Sequence, residues 1–216
     1  MPSANPNRLL VEGEEDKRVI PYFMEYFIPW GNTPDSRPVH IETFNGFEDL
    51  LKPGVIGAEL KTPGLKALGV IVDANSDAEH RWRRIRERAI QRIPELPEQM
   101  PVEGVVCEIA AGPRFGAWLM PDNRSRGMLE TFLSLFVPTD NAPLWLLVQE
   151  HCRDAKARCH APYNEAHLDK AQIHAWLALQ DPPGQALHLA VLAKTLRPSS
   201  PHADQFVQWF RRLYSL

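Results

Sequence analysis

Short apolar runs separated by turn-forming residues dominate the first 137 positions of the chain. The run KALGVIV at 66–72 is continuously apolar after its lysine, which is typical of a strand buried on both faces of a parallel sheet. Segments with apolar residues at helical spacing follow several of these runs. The predicted strands are 8–11, 39–44, 66–72, 102–110 and 115–120, and the predicted helices are 16–27, 47–51, 78–92 and 128–136.

This alternation predicts an α/β fold with a mostly parallel sheet flanked by helices. After Pro138 only helical spacing remains, in the segments 142–158, 168–179 and 203–213. We therefore predict an α/β domain at 1–137 and a helical C-terminal subdomain at 138–216 packed on it. Large aromatic residues at helical spacing usually mark a core face, so we expect Trp176 and Trp209 to be buried.

Composition restricts the partners of the protein. The 216 residues are 44% hydrophobic and 24% charged with a net charge of −3, so a nucleic-acid partner would need a local basic patch. Three cysteines, an odd number, argue against a disulfide framework and for a reducing compartment. No secretory signal or long apolar run is visible, so we expect a cytoplasmic protein without a membrane partner. The pattern leaves the oligomeric state open.

Acidic and amide side chains follow two of the predicted strands. Asp73 and Asn75 are two residues apart at the end of a buried strand, so both side chains are expected on one side, and Glu12 ends another strand. The carboxyl ends of parallel strands collect ligands, and carboxylate and amide oxygens suit Mg²⁺ or Mn²⁺. Further acids that could join this metal site are Asp77, Asp122 and Glu130.

Helix capping is the alternative interpretation of these acids. Asp, Asn and Ser are common at strand-to-helix turns in any α/β protein, and Asp77 directly precedes a predicted helix. The residue pattern alone leaves both a metal site and a set of helix caps open.

An arginine-rich helix follows the Asp73 loop. In RWRRIRERAIQR at 81–92 the apolar residues lie at helical spacing, which leaves the arginines facing outward. Arg81, Arg84 and the more distant Lys170 are candidate phosphate contacts. A solvated helix face and surface lysines are the alternative explanation.

Two motifs resemble those of the Toprim family. LLVEGEED at 9–16 is similar to the first Toprim motif of OLD-family nucleases, and GVIVDAN at 69–75 is similar to the second, about sixty residues later. WLMPDN at 118–123 with GMLE at 127–130 resembles a group of small uncharacterised bacterial Toprim-like proteins. The resemblance covers roughly 8–136, with weaker similarity near 169–179.

The resemblance implies a sheet that binds Mg²⁺ or Mn²⁺ for phosphoryl transfer on nucleic acid. Glu12 would be a metal ligand or general acid/base and Asp73 the first metal aspartate, with a basic residue such as Lys170 nearby. Asn75 stands where the family has a second aspartate, which removes one negative charge. Two functions follow as hypotheses: a metal-dependent nuclease, or a catalytically degraded binding or regulatory module in phage defence or repair.

Overall fold

A five-stranded sheet forms the centre of the protein in the computed structural model, which describes residues 5–110, 112–199 and 201–216. The strands are β1 Asn7–Val11, β2 His40–Thr43, β3 Ala67–Asp73, β4 Val105–Glu108 and β5 Arg114–Met120. Their order in the sheet is β2-β1-β3-β5-β4, with β4 antiparallel to β5 and all other pairs parallel. The predicted α/β class with a mostly parallel sheet is confirmed.

Helices cover both faces of this sheet and make up the C-terminal part of the chain. In the described ranges the α-helices are α1 Glu14–Met24, α2 Phe47–Leu50, α3 Val55–Glu59, α4 Ala78–Ala89, α5 Leu129–Ser134, α6 Ala142–Cys159, α7 Leu168–Ala178, α8 Leu187–Leu192 and α9 Pro201–Tyr214. Short 3₁₀ turns lie at Pro34–Ser36, Thr139–Asn141 and Glu165–His167. None of the helices that the structure describes combines the length and the apolar character that a bilayer crossing requires.

Strand register determines which residues share an edge of the sheet. Val11 of β1 pairs with Ile71 of β3, and Asp73 of β3 pairs with Met120 of β5. The carboxyl ends of the three central strands therefore lie side by side. Residues that follow these ends meet there although they are far apart in sequence.

The side chains of the central strands alternate between two cores, as the two-residue period of a strand requires. Leu9 packs with α1 and α5–α9 on one face, whereas Leu10 packs with α2–α4 on the other. Trp176 and Trp209 are fully buried, as predicted. Because the first core includes residues of β1 and of α9, the first and last parts of the chain contribute to the same packing.

Two glycines allow α9 to approach the sheet closely. A Cβ atom at Gly69 would lie 2.3 Å from the Tyr214 hydroxyl oxygen, and one at Gly116 would lie 2.7 Å from Leu213 Cδ2. Trp209 Nε1 also donates to the Val105 carbonyl oxygen at 2.9 Å. Larger residues at these glycines would force the helix away from the sheet.

Several element boundaries differ from the sequence-based prediction. The strand predicted at 102–110 is shortened to Val105–Glu108, because Gly104 has a φ of +72° and breaks the extended backbone. Helix α1 ends at Met24 instead of residue 27. Helices α3 and α8, of five and six residues, were not predicted.

Candidate functional site

Glu12 and Asp73 meet at the carboxyl edge of the sheet. Glu12 directly follows β1, and its Oε1 accepts a hydrogen bond from the backbone N–H of Asp73 at 3.0 Å. Asp73 is the last residue of β3, and its Oδ1 accepts from the N–H of Leu129 at the start of α5, at 2.9 Å. The two carboxylates are thus held in place by strands β1 and β3 and by the first turn of α5.

Two further carboxylates join them. Asp16 lies in the first turn of α1, and its Oδ2 accepts from the N–H of Gly13 at 3.2 Å. Glu130 lies in the first turn of α5 and is only 4% exposed. We call Glu12, Asp16, Asp73 and Glu130 the acidic cluster.

The carboxylates of the acidic cluster disfavour one another's negative charge. Burial raises the pKa of Asp16 to about 7, with the charges of Glu12 and Glu130 acting in the same direction. Burial raises the pKa of Asp73 well above its ordinary value, and Asp16, Glu12 and Glu130 raise it further. Burial also raises the pKa of Glu12, although the positive charge of Arg81 and the N–H of Asp73 oppose the change. A bound proton or cation would relieve this repulsion.

Lys170 of α7 is a cation beside the acidic cluster. Its Nζ lies 2.9 Å from Glu130 Oε1, and its side chain is half exposed. Burial lowers the pKa of Lys170, but the hydrogen bond to Glu130 and the negative charges of Glu130, Asp73 and Glu15 outweigh it, so the pKa is raised. Lys170 was predicted as a phosphate contact, and through it the C-terminal helix α7 contributes a side chain to the site.

The two predicted arginine contacts differ in their surroundings. The Arg81 guanidinium lies 3.8 Å from the centre of the Phe47 ring and favours the charged form of Glu12. Arg84 forms an ion pair with Glu48 at 2.8 Å. Arg81 therefore lies at the margin of the acidic cluster, whereas Arg84 is neutralised by a surface acid.

Asn75 does not continue the strand geometry of Asp73. Its φ of +51° turns the backbone away from β3, and its N–H and C=O pair with the C=O and N–H of Gly127 at 2.7 and 2.8 Å. Strand β3 ends at Asp73, so the two-residue strand period from which both side chains were expected on one side does not extend to Asn75. Asn75 lines a shallow cavity of about 190 Å³ together with Asp77 and Arg81.

Asp77 and Asp122 have local hydrogen-bonding roles outside the acidic cluster. Asp77 is exposed and caps α4, with Oδ1 accepting from the N–H of His80 at 2.9 Å. Asp122 accepts from the N–H of Arg124 at 3.0 Å and of Ser125 at 2.7 Å. Although burial raises the pKa of Asp122, these hydrogen bonds outweigh it and the pKa is lowered. The capping interpretation holds for Asp77.

The acidic cluster suits a hard divalent cation by donor type and charge. Its side chains offer only carboxylate oxygens, the donor type that Mg²⁺ and Mn²⁺ prefer, and its crowded charges favour a cation. In residues 5–110, 112–199 and 201–216, however, no three His, Cys, Asp or Glu side chains are already arranged around a common metal position. Binding would therefore require the carboxylates to reorient from their hydrogen bonds to backbone N–H groups.

Sequence reasoning missed Asp16. It lies in a run of three acids that any helix N-terminus favours, so its type carried no specific signal. The available signal was its spacing: four residues after Glu12, a helix that starts at once returns a side chain to the strand end. The structure shows this return, because Asp16 hydrogen-bonds to Gly13 directly after Glu12.

Fold and site together define an α/β protein with a cluster of partly buried carboxylates at the carboxyl edge of a mostly parallel sheet. The chain belongs to the family described as "Protein of unknown function (DUF3226)", whose model matches residues 6–215. The match includes the sheet, the acidic cluster and Lys170. No curated protein and no solved structure matches the chain.

Proposed function

We propose that the protein is a Mg²⁺- or Mn²⁺-dependent phosphoryl-transfer enzyme, a Toprim-like nuclease acting on DNA or RNA. The observation that carries the proposal is the convergence of four carboxylates from β1, α1, β3 and α5 at one edge of the sheet. Nearby cations at Arg81 and Lys170 would attract a phosphodiester to the same place.

The free energy of the acidic cluster supports cation binding. Raising the pKa of Asp16 from 3.8 to about 7 corresponds to a cost on the order of 4 kcal/mol for its ionised form in the fold. Burial also raises the pKa values of Asp73 and Glu12, so full ionisation costs more. A purely structural role does not explain why four acids are gathered at this free-energy cost. A bound cation would offset the cost by stabilising the ionised carboxylates.

The residues divide into ligands and groups that handle the substrate. Glu12 and Asp73 would be the principal ligands and catalytic residues, with Asp16 and Glu130 completing the oxygen set. A bound divalent cation supplies Lewis-acid polarisation of the phosphoryl group and a water of lowered pKa. Lys170 Nζ would neutralise a phosphate oxygen when it leaves Glu130.

In this assignment Asp16 acts as one of the oxygen ligands. Its pKa of about 7 arises from burial and from the charges of Glu12 and Glu130 without a cation, and a bound divalent cation would favour its ionised form.

A catalytically degraded binding or regulatory module, in phage defence or repair, is the second candidate. Asn75 in place of an acid favours it, as does the need for the carboxylates to reorient around a metal. The two candidates differ in turnover, since both bind metal but only the enzyme cleaves a phosphodiester.

A cleavage assay separates the candidates. Single- and double-stranded DNA and RNA would be incubated with the protein in Mn²⁺, Mg²⁺ or EDTA, using Glu12→Gln and Asp73→Asn as test variants and Asp122→Asn as the matched control. If the protein is the proposed enzyme, we expect metal-dependent cleavage whose rate falls by about 100-fold or more in the test variants and persists in the control. Metal binding without cleavage would support the binding or regulatory module. The absence of both metal binding and cleavage would contradict both candidate functions.

A further inference from the structure

A groove runs along α1 on the side of the edge strand β2, apart from the acidic cluster. Its cavity measures about 420 Å³, within the range of small-molecule sites, and it adjoins a smaller cavity of about 60 Å³. Lys17, Pro21, Trp30 and Arg37 line both cavities. We call this the α1 groove; the residues used below are Lys17, Arg18, Tyr22, Trp30, Arg37 and His188.

The α1 groove is locally basic in a chain of net charge −3. Lys17, Arg18 and Arg37 are exposed, and in the described part of the chain none of them has a carboxylate within ion-pair distance. Glu25 lines the groove, and Glu15 lies 4.0 Å from the groove residue His188. The three cations outnumber these two acids, which favours an anionic ligand such as a phosphate.

Aromatic rings form the other part of the groove. The rings of Tyr22 and His188 stack, with centroids 5.9 Å apart and planes at 21°. Trp30 is 4% exposed and its buried Nε1 has no hydrogen-bond partner among the described residues, whereas His188 Nδ1 lies 4.0 Å from Glu15 Oε1. The groove thus places aromatic rings beside its cations, a combination that suits a planar anionic ligand.

Helix α1 connects the groove to the acidic cluster. Lys17 directly follows Asp16, and Glu25 at the far end is eight residues after Lys17, or roughly 12 Å along the helix axis. One end of the groove therefore begins at the helical residue next to Asp16. Cations beside aromatic rings are the combination that binds the phosphate and the base of single-stranded nucleic acid.

We propose that the α1 groove binds a nucleotide unit, with its phosphate on Lys17 and Arg37 and its base against the rings of Tyr22, Trp30 and His188. The unit is either a free nucleotide or a segment of a single strand, since both present the same chemistry. In its strand form the inference rests on the proposed function, because the strand would lead to the acidic cluster.

The test measures binding without divalent metal, so that it does not depend on the acidic cluster. Full-length protein in EDTA would be titrated with AMP by calorimetry and with a short fluorescein-labelled single-stranded oligodeoxynucleotide by anisotropy. The test variants are Arg37→Ala and Lys17→Ala; both positions are exposed, so folding should persist. Arg153→Ala, an exposed arginine of α6, is the matched control.

The proposal predicts binding by the wild type and by the control, weakened by about tenfold in Arg37→Ala and in Lys17→Ala. For the oligonucleotide, each lost cation should reduce the salt slope of log K by about one. Tight AMP binding would identify a free nucleotide, and binding of the oligonucleotide alone a strand segment. Absence of binding by the wild type, or equal weakening in Arg153→Ala, would overturn the inference.

The same variants keep this inference distinct from the proposed function. If the groove variants lose binding but neither the wild type nor any variant cleaves nucleic acid, the nuclease fails and the groove stands. If the protein cleaves nucleic acid and the groove variants bind and cleave like the wild type, the groove inference fails alone.

Discussion

The acids at the carboxyl edge of the sheet and the acids of the adjoining loops differ in how their charge is satisfied. Asp16 and Asp73 are enclosed with other carboxylates, and their pKa values are raised. Asp122 receives hydrogen bonds from two backbone N–H groups and a hydroxyl, and its pKa is lowered. Each of these acids lies at or within a few residues of the carboxyl end of a strand, so packing among like charges, and not residue type, distinguishes the candidate site.

The largest effect expected from this difference is on stability without metal. Asp16→Asn removes a disfavoured charge but keeps an oxygen for the Gly13 N–H, so at about pH 8 in EDTA it should raise the free energy of unfolding by up to about 4 kcal/mol. Thermal melting would show this as a rise of roughly 2–4 °C per kcal/mol. Asp122→Asn, the control, should leave the melting temperature unchanged or lower it, and a fall with Asp16→Asn would contradict the account.

The pH dependence of stability should separate the two groups of acids. Asp16 has a folded-state pKa of about 7 against 3.8, so the unfolded state loses its proton first, and stability should fall as the pH rises from about 4 to about 7. Asp122 has a lowered pKa, so its contribution is lost only as the pH falls below about 4.

Denaturant unfolding in EDTA across this range would measure both trends. Asp16→Asn should reduce the fall in the free energy of unfolding between pH 4 and 7. The raised pKa of Asp73 should account for part of the fall that persists in this variant. An increase of wild-type stability over the same interval would show that the carboxylates are not enclosed as described.

The smallest effect concerns Asp77, whose hydrogen bond to the His80 N–H makes it a helix cap outside the acidic cluster. Asp77→Ala should lower the free energy of unfolding by about 1 kcal/mol, whereas Asp77→Asn should be nearly neutral because both residues cap well. Neither variant should change the stabilisation produced by Mn²⁺. A reduced response to Mn²⁺ in both variants would return Asp77 to the set of metal ligands.

Sequence reasoning located the edge of the sheet where the site lies but not all of its acidic residues. Continuous apolar runs identified β1 and β3, and the rule that parallel strands share a carboxyl edge brought Glu12 and Asp73 together. Glu130 was among the predicted further acids, but Asp16 was hidden among ordinary helix-start residues. Side-chain enclosure depends on packing from four elements, which no single segment specifies.

Other failures arose where the backbone leaves regular geometry. The pairing of Asp73 with Asn75 assumed that the strand continued, but the positive φ of Asn75 ends it. The α1 groove was not predicted, because Lys17 and Arg37 lie twenty residues apart and are brought together by the loop that contains Trp30. Local periodicity predicts elements, whereas such sites depend on how loops return to the sheet.

The central claim, that the acidic cluster binds a divalent cation, is tested most directly by the thermal stability of the protein with and without millimolar Mn²⁺. The free energy of unfolding of the wild type should rise by about 2.7 kcal/mol when Mn²⁺ is at a hundred times its Kd. Glu12→Gln and Glu130→Gln should lose most of this stabilisation, whereas the control Asp122→Asn should keep it. If the wild type does not respond to Mn²⁺, or if Asp122→Asn loses as much as Glu12→Gln, the acidic cluster is not a metal site.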